Sequence, residues 1–482
     1  MSKRRTAVCT ILPAMNAISP VACATAAPTA PLNAALLAKY DGLRVPRYTS
    51  YPTAPHFTAA VGAERYADWL AELDTAAHTG SLYLHVPFCA KMCWYCGCHT
   101  KIVARYAPIA EYLGHLRREV GMVADRISGR LRVRHIHFGG GTPTMMAPDD
   151  FESLIALLRE RYDVTPDAEI AVEIDPRTLT RAMAEALGRA GVNRASLGVQ
   201  DFDASVQAAI NRIQPREQTE QTLEWLRANG IRHINLDLMY GLPGQSVESV
   251  ARSAEIALTM APDRLSVFGY AHVPWMKTHQ KKIDESALAG TLGRWEQFAA
   301  IAGVLTDAGF QPIGLDHFAR PDDELAVQQS EGRLSRNFQG YTTDDAEVLL
   351  GFGASSIGAL PQGYVQNAVP FDQYAQAVEA GRFPTGKGLT LTADDRLRRD
   401  LIVRLMCDLS VDVGAVAEAH GLAAGTFDAD LEAMADLVAD GVAVVEGRRV
   451  HVPEPARPLM RIVAARFDTY LSTGAGKHSR AV

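Results

Sequence analysis

The sequence predicts an α/β fold in which parallel strands joined by crossover helices form a partial or full βα barrel, with a mainly helical domain behind it. Three observations carry this expectation. Between about residues 80 and 320, short β-rich runs alternate with longer helical patterns. Several of those runs are apolar almost throughout, as strands covered on both faces are. After about residue 385 the texture changes to charged helical stretches. A chain of 482 residues, 48% hydrophobic, is long enough for one large core and a smaller second one. An open doubly wound sheet would show the same periodicity and stays as the alternative.

The expected strands are Leu82–Val86, Val133–Phe138, Glu169–Ile174, Ala195–Val199, Ile231–Met239 and Leu265–Tyr270. Between them, amphipathic spacing predicts helices over Ala110–Ile127, Phe151–Arg161, Leu179–Ala190 and Gln218–Asn229, the last closed by Gly230 as a C-cap. Beyond Asp394 come further helices, with a hairpin or wing at Val442–Val452. The expected division is a disordered extension over 1–40, a barrel domain over 41–385 and a helical domain over 386–482. In either α/β architecture, chemistry belongs at the C-terminal strand ends. The unusual motifs sit there: four cysteines after the first strand, Gly139-Gly140-Gly141-Thr142-Pro143 after the second, Glu173-Ile174-Asp175-Pro176 after the third, Gln200-Asp201-Phe202 after the fourth and Gly241-Leu242-Pro243-Gly244 after the fifth.

A formal charge of -7 supplies no broad basic surface for nucleic acid, and no run approaches the roughly 20 apolar residues of a membrane span. The start, Ser2-Lys3-Arg4-Arg5 and a mildly apolar stretch to Ala22-Cys23-Ala24, resembles a signal peptide weakly, but Pro13, Asn16, Ser19 and Pro20 interrupt its apolar centre. Seven cysteines, four of them within residues 89–98, make a metal-ligand pattern and not a disulfide framework, and reduced thiols suit the cytoplasm.

In Cys89-Ala90-Lys91-Met92-Cys93-Trp94-Tyr95-Cys96 the thiols are spaced three residues and then two on one loop. Three close thiolates suit corners of an iron-sulfur cube and leave one iron open to a chelating ligand. Zinc sites favour two separated ligand pairs, and no second pair follows. The spacing, with an aromatic residue before the last cysteine, resembles the signature of the radical S-adenosylmethionine (SAM) superfamily. That resemblance implies a 4Fe-4S cluster whose fourth iron is chelated by SAM, and cleavage of SAM to a 5'-deoxyadenosyl radical. Gly139–Pro143 resembles the loop that meets the methionine amino group, where residues without a Cβ let backbone approach a ligand closely.

Further motifs narrow the resemblance to the oxygen-independent coproporphyrinogen III oxidase family. They are Arg47-Tyr48-Thr49-Ser50-Tyr51-Pro52-Thr53, Cys96-Gly97-Cys98, Gly198-Val199-Gln200-Asp201-Phe202, Asp237-Leu238-Met239-Tyr240-Gly241-Leu242-Pro243, Asp316-His317-Phe318-Ala319-Arg320-Pro321 and Asn337-Phe338-Gln339-Gly340-Tyr341-Thr342. The resemblance implies oxidative decarboxylation of two propionates of coproporphyrinogen III to the vinyl groups of protoporphyrinogen IX. One SAM is consumed per propionate, through hydrogen abstraction at the β-carbon, loss of carbon dioxide and transfer of an electron to an acceptor. Carried over by motif, Cys89, Cys93 and Cys96 would bind the cluster. Tyr83, Tyr95, Gly140, Gly141, Thr142, Glu173, Gln200, Arg212, Asp237 and Ala271 would form the SAM pocket, and Gln339 and Ile357 would line a second SAM. Tyr83, Cys98 and Arg47 are the expected catalytic residues, Cys98 by contacting SAM or protecting the site.

A substrate rich in carboxylates draws arginines, and Arg47 and Arg320 are the candidates; His272 and His317 are candidates for proton movement. Glu173 and Asp237 at strand ends have a plainer reading as helix caps. The resemblance leaves the electron donor and acceptor open, and a monomer is expected. A haem chaperone and a radical methyltransferase of the same superfamily, and a zinc or electron-transfer protein, are the competing readings. The oxidase-type segments at 47–53 and 337–342 argue against the chaperone, and the glycine loop against a protein that never meets SAM.

Overall fold

In a computed structural model describing residues 34–471, one twelve-stranded sheet organises the chain. Its strands are β1 (Thr79–Val86), β2 (Arg132–Gly140), β3 (Asp163–Ile174), β4 (Arg194–Gln200), β5 (His233–Tyr240), β6 (Arg264–Gly269), β7 (Gln311–Ile313), β8 (His317–Ala319), β9 (Val348–Phe352), β10 (Ile357–Leu360), β11 (Gly363–Asn367) and β12 (Thr385–Thr390). They lie in the order β12-β11-β10-β9-β1-β2-β3-β4-β5-β6-β8-β7. The run from β9 through β1 to β6 is parallel throughout, and antiparallel strands extend both flanks. β7 and β12 stand at opposite ends of the order, so the barrel is partial.

All six expected strands are present, five within three residues of their predicted limits, while β3 begins at Asp163, six residues before its expected start at Glu169. Among the helices are α1 (Ala34–Tyr40), α2 (Ala107–Arg126), α3 (Pro148–Arg161), α4 (Arg181–Ala190), α5 (Arg216–Ala228), α6 (Val247–Thr259), α7 (Thr291–Asp307) and α8 (Ala393–Asp408). Helix α2 shows why such a segment docks. Leu113, Leu116, Val120 and Val123 recur at helical spacing and are buried against the sheet, each stabilising by about 1.5–3 kcal/mol. Helix α4 is capped at both ends, by the Thr180 hydroxyl accepting from Met183 N and by Gly191 at φ +85°. The left-handed turn expected at Gly230 is present, also at φ +85°.

The expected domain limits need two corrections. The predicted extension 1–40 reaches into α1, whose Leu37 and Tyr40 are buried; the signal-like stretch lies outside the described residues. β12 carries the main sheet to Thr390, past the expected boundary at 385. The physical reason is a second core shared between chain ends. Tyr40, Val45, Tyr48 and Tyr51 pack in one cluster with Leu401, Leu405, Val463 and Phe467. Ring hydroxyls tie the same seam, Tyr48 to Asp468 at 3.0 Å and Tyr51 to Thr469 at 3.1 Å. The expected hairpin near 442–452 is Val444–Glu446 paired with Arg449–His451. Among the described residues no helix is long and apolar enough to cross a membrane.

Candidate cofactor site

The cysteine loop leaves the C-terminal end of β1 and is held by its own carbonyls. Asn211 Nδ2 donates to Met92 O (2.7 Å), Gln280 Nε2 to Tyr95 O (2.9 Å), Lys277 Nζ to Cys98 O (3.0 Å), and His279 Nε2 lies 2.7 Å from Cys96 O. Side chains from two distant segments thus fix a loop whose regular structure is limited to the short pairing of Phe88–Cys89 with Lys101–Ile102. Cys89, Cys93 and Cys96 all line one cavity of about 400 Å³. Hydrogen bonds from the Cys98 side chain and amide hold the Cys96 thiol down to about 6, which favours the thiolate. Burial pushes Cys89 up to about 11, although Thr142 Oγ1 donates to its sulfur at 3.5 Å.

Behind Cys93 lies a buried ion cluster. Arg177 grips both oxygens of Asp175, with Nη2 to Oδ2 at 2.6 Å and Nε to Oδ1 at 2.9 Å, and reaches Cys93 Sγ at 3.3 Å. Arg212, on the loop after β4, lies 3.4 Å from the same carboxylate and 3.6 Å from Cys93 Sγ. Its Nη2 donates to Gly198 O at 2.5 Å. A Cβ on Gly198 would come within 3.1 Å of that guanidinium, so the glycine makes its room. Two residues later the ladder slips, and Gln200 takes φ +74°, a left-handed conformation uncommon outside glycine.

The strand register sets the opposite wall. Glu173 of β3 pairs with Ser196 of β4, and Gly198 with Asp237 of β5. Glu173 Oε2 accepts from Gly140 N at 3.0 Å, and its Oε1 lies 3.3 Å from His137 Nε2. Burial works to raise Glu173, but His137 and the Gly140 amide hold it below the usual carboxylate range. Asp237 accepts from Asn235 Nδ2 at 2.8 Å, and burial and the charge of Glu173 push it up to about 6. The glycine loop is stitched to the cysteine loop by Gly141 N to Val86 O (3.0 Å) and Thr142 N to Phe88 O (2.7 Å). Gly140 itself sits at φ +113°.

The family model of the radical SAM superfamily matches residues 83–257, the segment that builds this cavity. The chain is 55% identical over 451 residues to the oxygen-independent coproporphyrinogen III oxidase of Bradyrhizobium diazoefficiens, covering 94% of this chain and 100% of that one. It is 40% identical over 438 residues to the protein of the same name from Escherichia coli K12, covering 91% and 95%. The chain belongs to the oxygen-independent coproporphyrinogen III oxidases. The solved structure of coproporphyrinogen III oxidase from Escherichia coli, reported as a radical SAM enzyme, superposes with a TM-score of 0.84 at 39% identity, covering 88% of this chain and 97% of that one.

Membership in this oxidase family implies a 4Fe-4S cluster and SAM, and the donor set fits both. Among the described residues no three His, Cys, Asp or Glu side chains converge tightly enough to hold a single metal ion. A cube asks for something else, because each thiolate takes a different iron at a separate corner. Three thiols on one short loop facing one cavity meet that demand. Beside them, Arg212 Nε is buried without a hydrogen-bond partner among the described residues, a donor suited to a ligand carboxylate, and Gly140 and Gly141 line the cavity with no side chains to fill it.

Of the residues expected from sequence, Arg47, Tyr95, Cys98, Gly140, Gly141, Thr142, Glu173, Gln200, Arg212, Asp237 and Ala271 line the cavity with the three cysteines. Tyr83 stands behind the wall, its ring stacked on His137 at 5.8 Å and its hydroxyl 3.0 Å from His85 Nδ1. Gln339 and Ile357 are not on the cavity wall; Ile357 packs with Phe57, Tyr364 and Leu391. Arg320 is carried away from the site. Antiparallel β8 runs back along β6, so Arg320 ends beside Asp263 at the opposite strand end and pairs with Asp322. His317 is held by Asp316 at 2.8 Å, and His272 by the Tyr270 hydroxyl at 2.7 Å and Glu285 at 3.0 Å. Sequence reasoning missed Asp175, Arg177 and Ser196 as site residues. Asp175 lay inside a quoted strand-end motif, and its position there was the available signal.

Proposed function

We propose that this chain catalyses the oxygen-independent oxidative decarboxylation of two propionates of coproporphyrinogen III to the vinyl groups of protoporphyrinogen IX. The observation that carries the reading is the single cavity in which three loop thiols face Glu173, Arg212 and Asp237 across a glycine-lined wall. When bound, the cluster and SAM supply a carbon-centred radical able to take hydrogen from an unactivated carbon.

The protein's own part is to bind, orient and shield. Cys89, Cys93 and Cys96 hold the cluster, with Cys98 steadying Cys96 by hydrogen bonds. Glu173, kept ionised by His137, suits an ammonium group, and Arg212 suits a carboxylate. Asp237 faces the cavity as an acceptor for ribose hydroxyls. Met239 and Phe268 give the wall apolar surface that disfavours water beside the reacting groups. For a second SAM the support is the family resemblance. The reading includes a reducing, cytoplasmic setting, because the five described cysteines are free thiols.

The test is an anaerobic assay of cluster-reconstituted protein with SAM, a reductant and coproporphyrinogen III, following methionine, 5'-deoxyadenosine and protoporphyrinogen. Substrate-dependent formation of all three supports the oxidase. Haem binding without decarboxylation replaces it with the chaperone reading.

A further inference from the structure

Three stretches without a carboxylate meet at the cysteine loop. Residues 75–110, 204–216 and 264–283 contain no Asp or Glu, in a chain whose formal charge is -7. Trp94 N donates to Ile210 O at 2.9 Å and Asn211 Nδ2 to Met92 O at 2.7 Å, which joins the second stretch to the first. Lys277, His279 and Gln280 join the third through the carbonyls of Cys98, Cys96 and Tyr95. That third stretch ends in a short 3₁₀ helix, Thr278–Lys282, whose period of three residues sorts its side chains. Gln280 and Ile283 are buried. His279 and Lys282 turn to the loop, with Lys282 Nζ 5.6 Å from the Trp94 ring centroid, and Thr278 and Lys281 are left exposed.

The result is a face with an apolar centre and a cationic frame. Ile213, two residues beyond Asn211, is 60% exposed, and Met92 and Trp94 are half-buried. Lys91, Lys281 and Lys282 are exposed, and Lys277 is half-buried with its Nζ on Cys98 O. Carboxylates that border the three stretches are engaged elsewhere. Asp203 accepts from Ser205 N at 2.8 Å, Asp284 from Ser286 N at 3.0 Å, and Glu285 lies 3.0 Å from His272 Nε2. Lysines with no local counter-charge add little to stability, but they steer and orient an approaching acidic surface. Exposed apolar groups rimmed by charge are the anatomy of a protein contact. The face also lies close to the ligands. Met92 precedes Cys93 in the chain, and Arg212, next to Ile213, brings Nη1 to 3.6 Å from Cys93 Sγ.

Resting on the function proposed above, we propose that this face docks an acidic protein that carries single electrons and reduces the cluster through the cysteine loop. The reaction draws one electron per SAM. The carrier loses it, and it passes by way of the cluster to the sulfonium of SAM, whose carbon–sulfur bond breaks. The electron released with carbon dioxide leaves to a separate acceptor. A small inorganic reductant needs no docking surface, so two kinds of donor separate docking from chemistry.

The test drives reconstituted holoenzyme with sodium dithionite and, separately, with a reduced bacterial flavodoxin as the acidic protein probe. Oxidised flavodoxin is also titrated against the enzyme by calorimetry over a salt series, a readout independent of turnover. Lys281→Glu/Lys282→Glu reverses two charges of the frame, and Lys281→Arg/Lys282→Arg keeps them. Arg132→Glu/Arg232→Glu makes the same change in net charge at the opposite strand ends, where β2 and β5 begin. The expected flavodoxin Kd rises with salt, and rises about tenfold or more in Lys281→Glu/Lys282→Glu, together with the flavodoxin concentration giving half-maximal rate. Dithionite-driven turnover, KM for coproporphyrinogen and iron content should stay at wild-type values in that variant. The arginine pair should bind as wild type does, and the remote pair should shift Kd by about twofold at most. Absence of binding by wild-type protein at low salt, a Kd indifferent to salt, or an equal loss in the remote variant would overturn the proposal. A higher KM for coproporphyrinogen with dithionite as donor would overturn it too, and would give the lysines to the substrate's carboxylates. Failure of wild-type protein to decarboxylate with dithionite sinks the underlying function instead, and the calorimetric titration still judges the docking face.

Discussion

Replacing Gly141 by alanine places one methyl group against the backbone of Phe88. The added Cβ would lie 2.6 Å from Phe88 O, 2.7 Å from Phe88 N and 2.9 Å from Phe88 C. To restore ordinary contact the Phe88 peptide must retreat by about 0.8 Å, and it is not the end of a flexible side chain that can swing aside. Phe88 also accepts from Thr142 N at 2.7 Å, so the retreat strains that bond as well. Overpacking of this kind costs about 1–3 kcal/mol, which a large core tolerates. The function should suffer more than the fold, because Cys89 is the next residue and moves with Phe88. A displacement near 1 Å at a reacting centre costs on the order of a hundredfold in rate. The assay measures iron and sulfide per chain after anaerobic reconstitution, the cluster's visible absorption, and product formation. The expected result is a folded protein with impaired cluster loading and activity down by about a hundredfold. Full loading with wild-type turnover would refute the reasoning that this glycine exists to let the two loops touch.

Three further outcomes follow from the same geometry. Cys93→Ser should remove the iron-sulfur absorption and product formation while circular dichroism remains that of a folded chain; an intact chromophore would withdraw Cys93 from the ligand set. Asp175→Asn takes the counter-charge from Arg177 and Arg212 in a buried setting, a loss of about 3 kcal/mol or more, read as a lower thermal midpoint; an unchanged midpoint would show that the two guanidiniums find other partners. Glu119 accepts from Gly353 N (2.7 Å), Tyr374 Oη (2.7 Å) and Asn367 Nδ2 (2.5 Å), yet burial raises it from 4.5 to about 7. Over that window the folded protein holds a proton that the unfolded chain releases, so stability falls as pH rises from about 4.5 to about 7. Wild type should therefore lose stability relative to Glu119→Gln as pH rises across that range in denaturant titrations, and a constant difference would contradict the shift.

Periodicity and spacing were enough for the features that are local in the chain. The six parallel strands, the four helices between them and the cysteine loop after β1 all lie where their own residues place them. Eleven further site candidates share one cavity with the three ligating cysteines because a parallel sheet gathers its strand ends on one side. Other features depend on which distant segments meet. Nothing near Tyr40 or Tyr48 announces that they share a core with Leu401 and Phe467, because burial against a partner hundreds of residues away leaves no local period. Arg320 sits in a family-like motif, yet the antiparallel turn of β8 sends it to the far end of the strands. Asp175 and Arg177 become an ion cluster only when Arg212 is folded against them. Arg294 and Arg461 are ordinary helix-end and C-terminal arginines in the sequence, and become the wall of a chamber because three segments close over the end of β6. The sequence by itself determined the elements and the thiol loop, since hydrophobic spacing and ligand spacing are short-range. The ion cluster, the core that Tyr40–Tyr51 share with Leu401 and Phe467, and the arginine-lined cavity come from the tertiary fold, since electrostatic and packing energies depend on distances that only the folded chain defines.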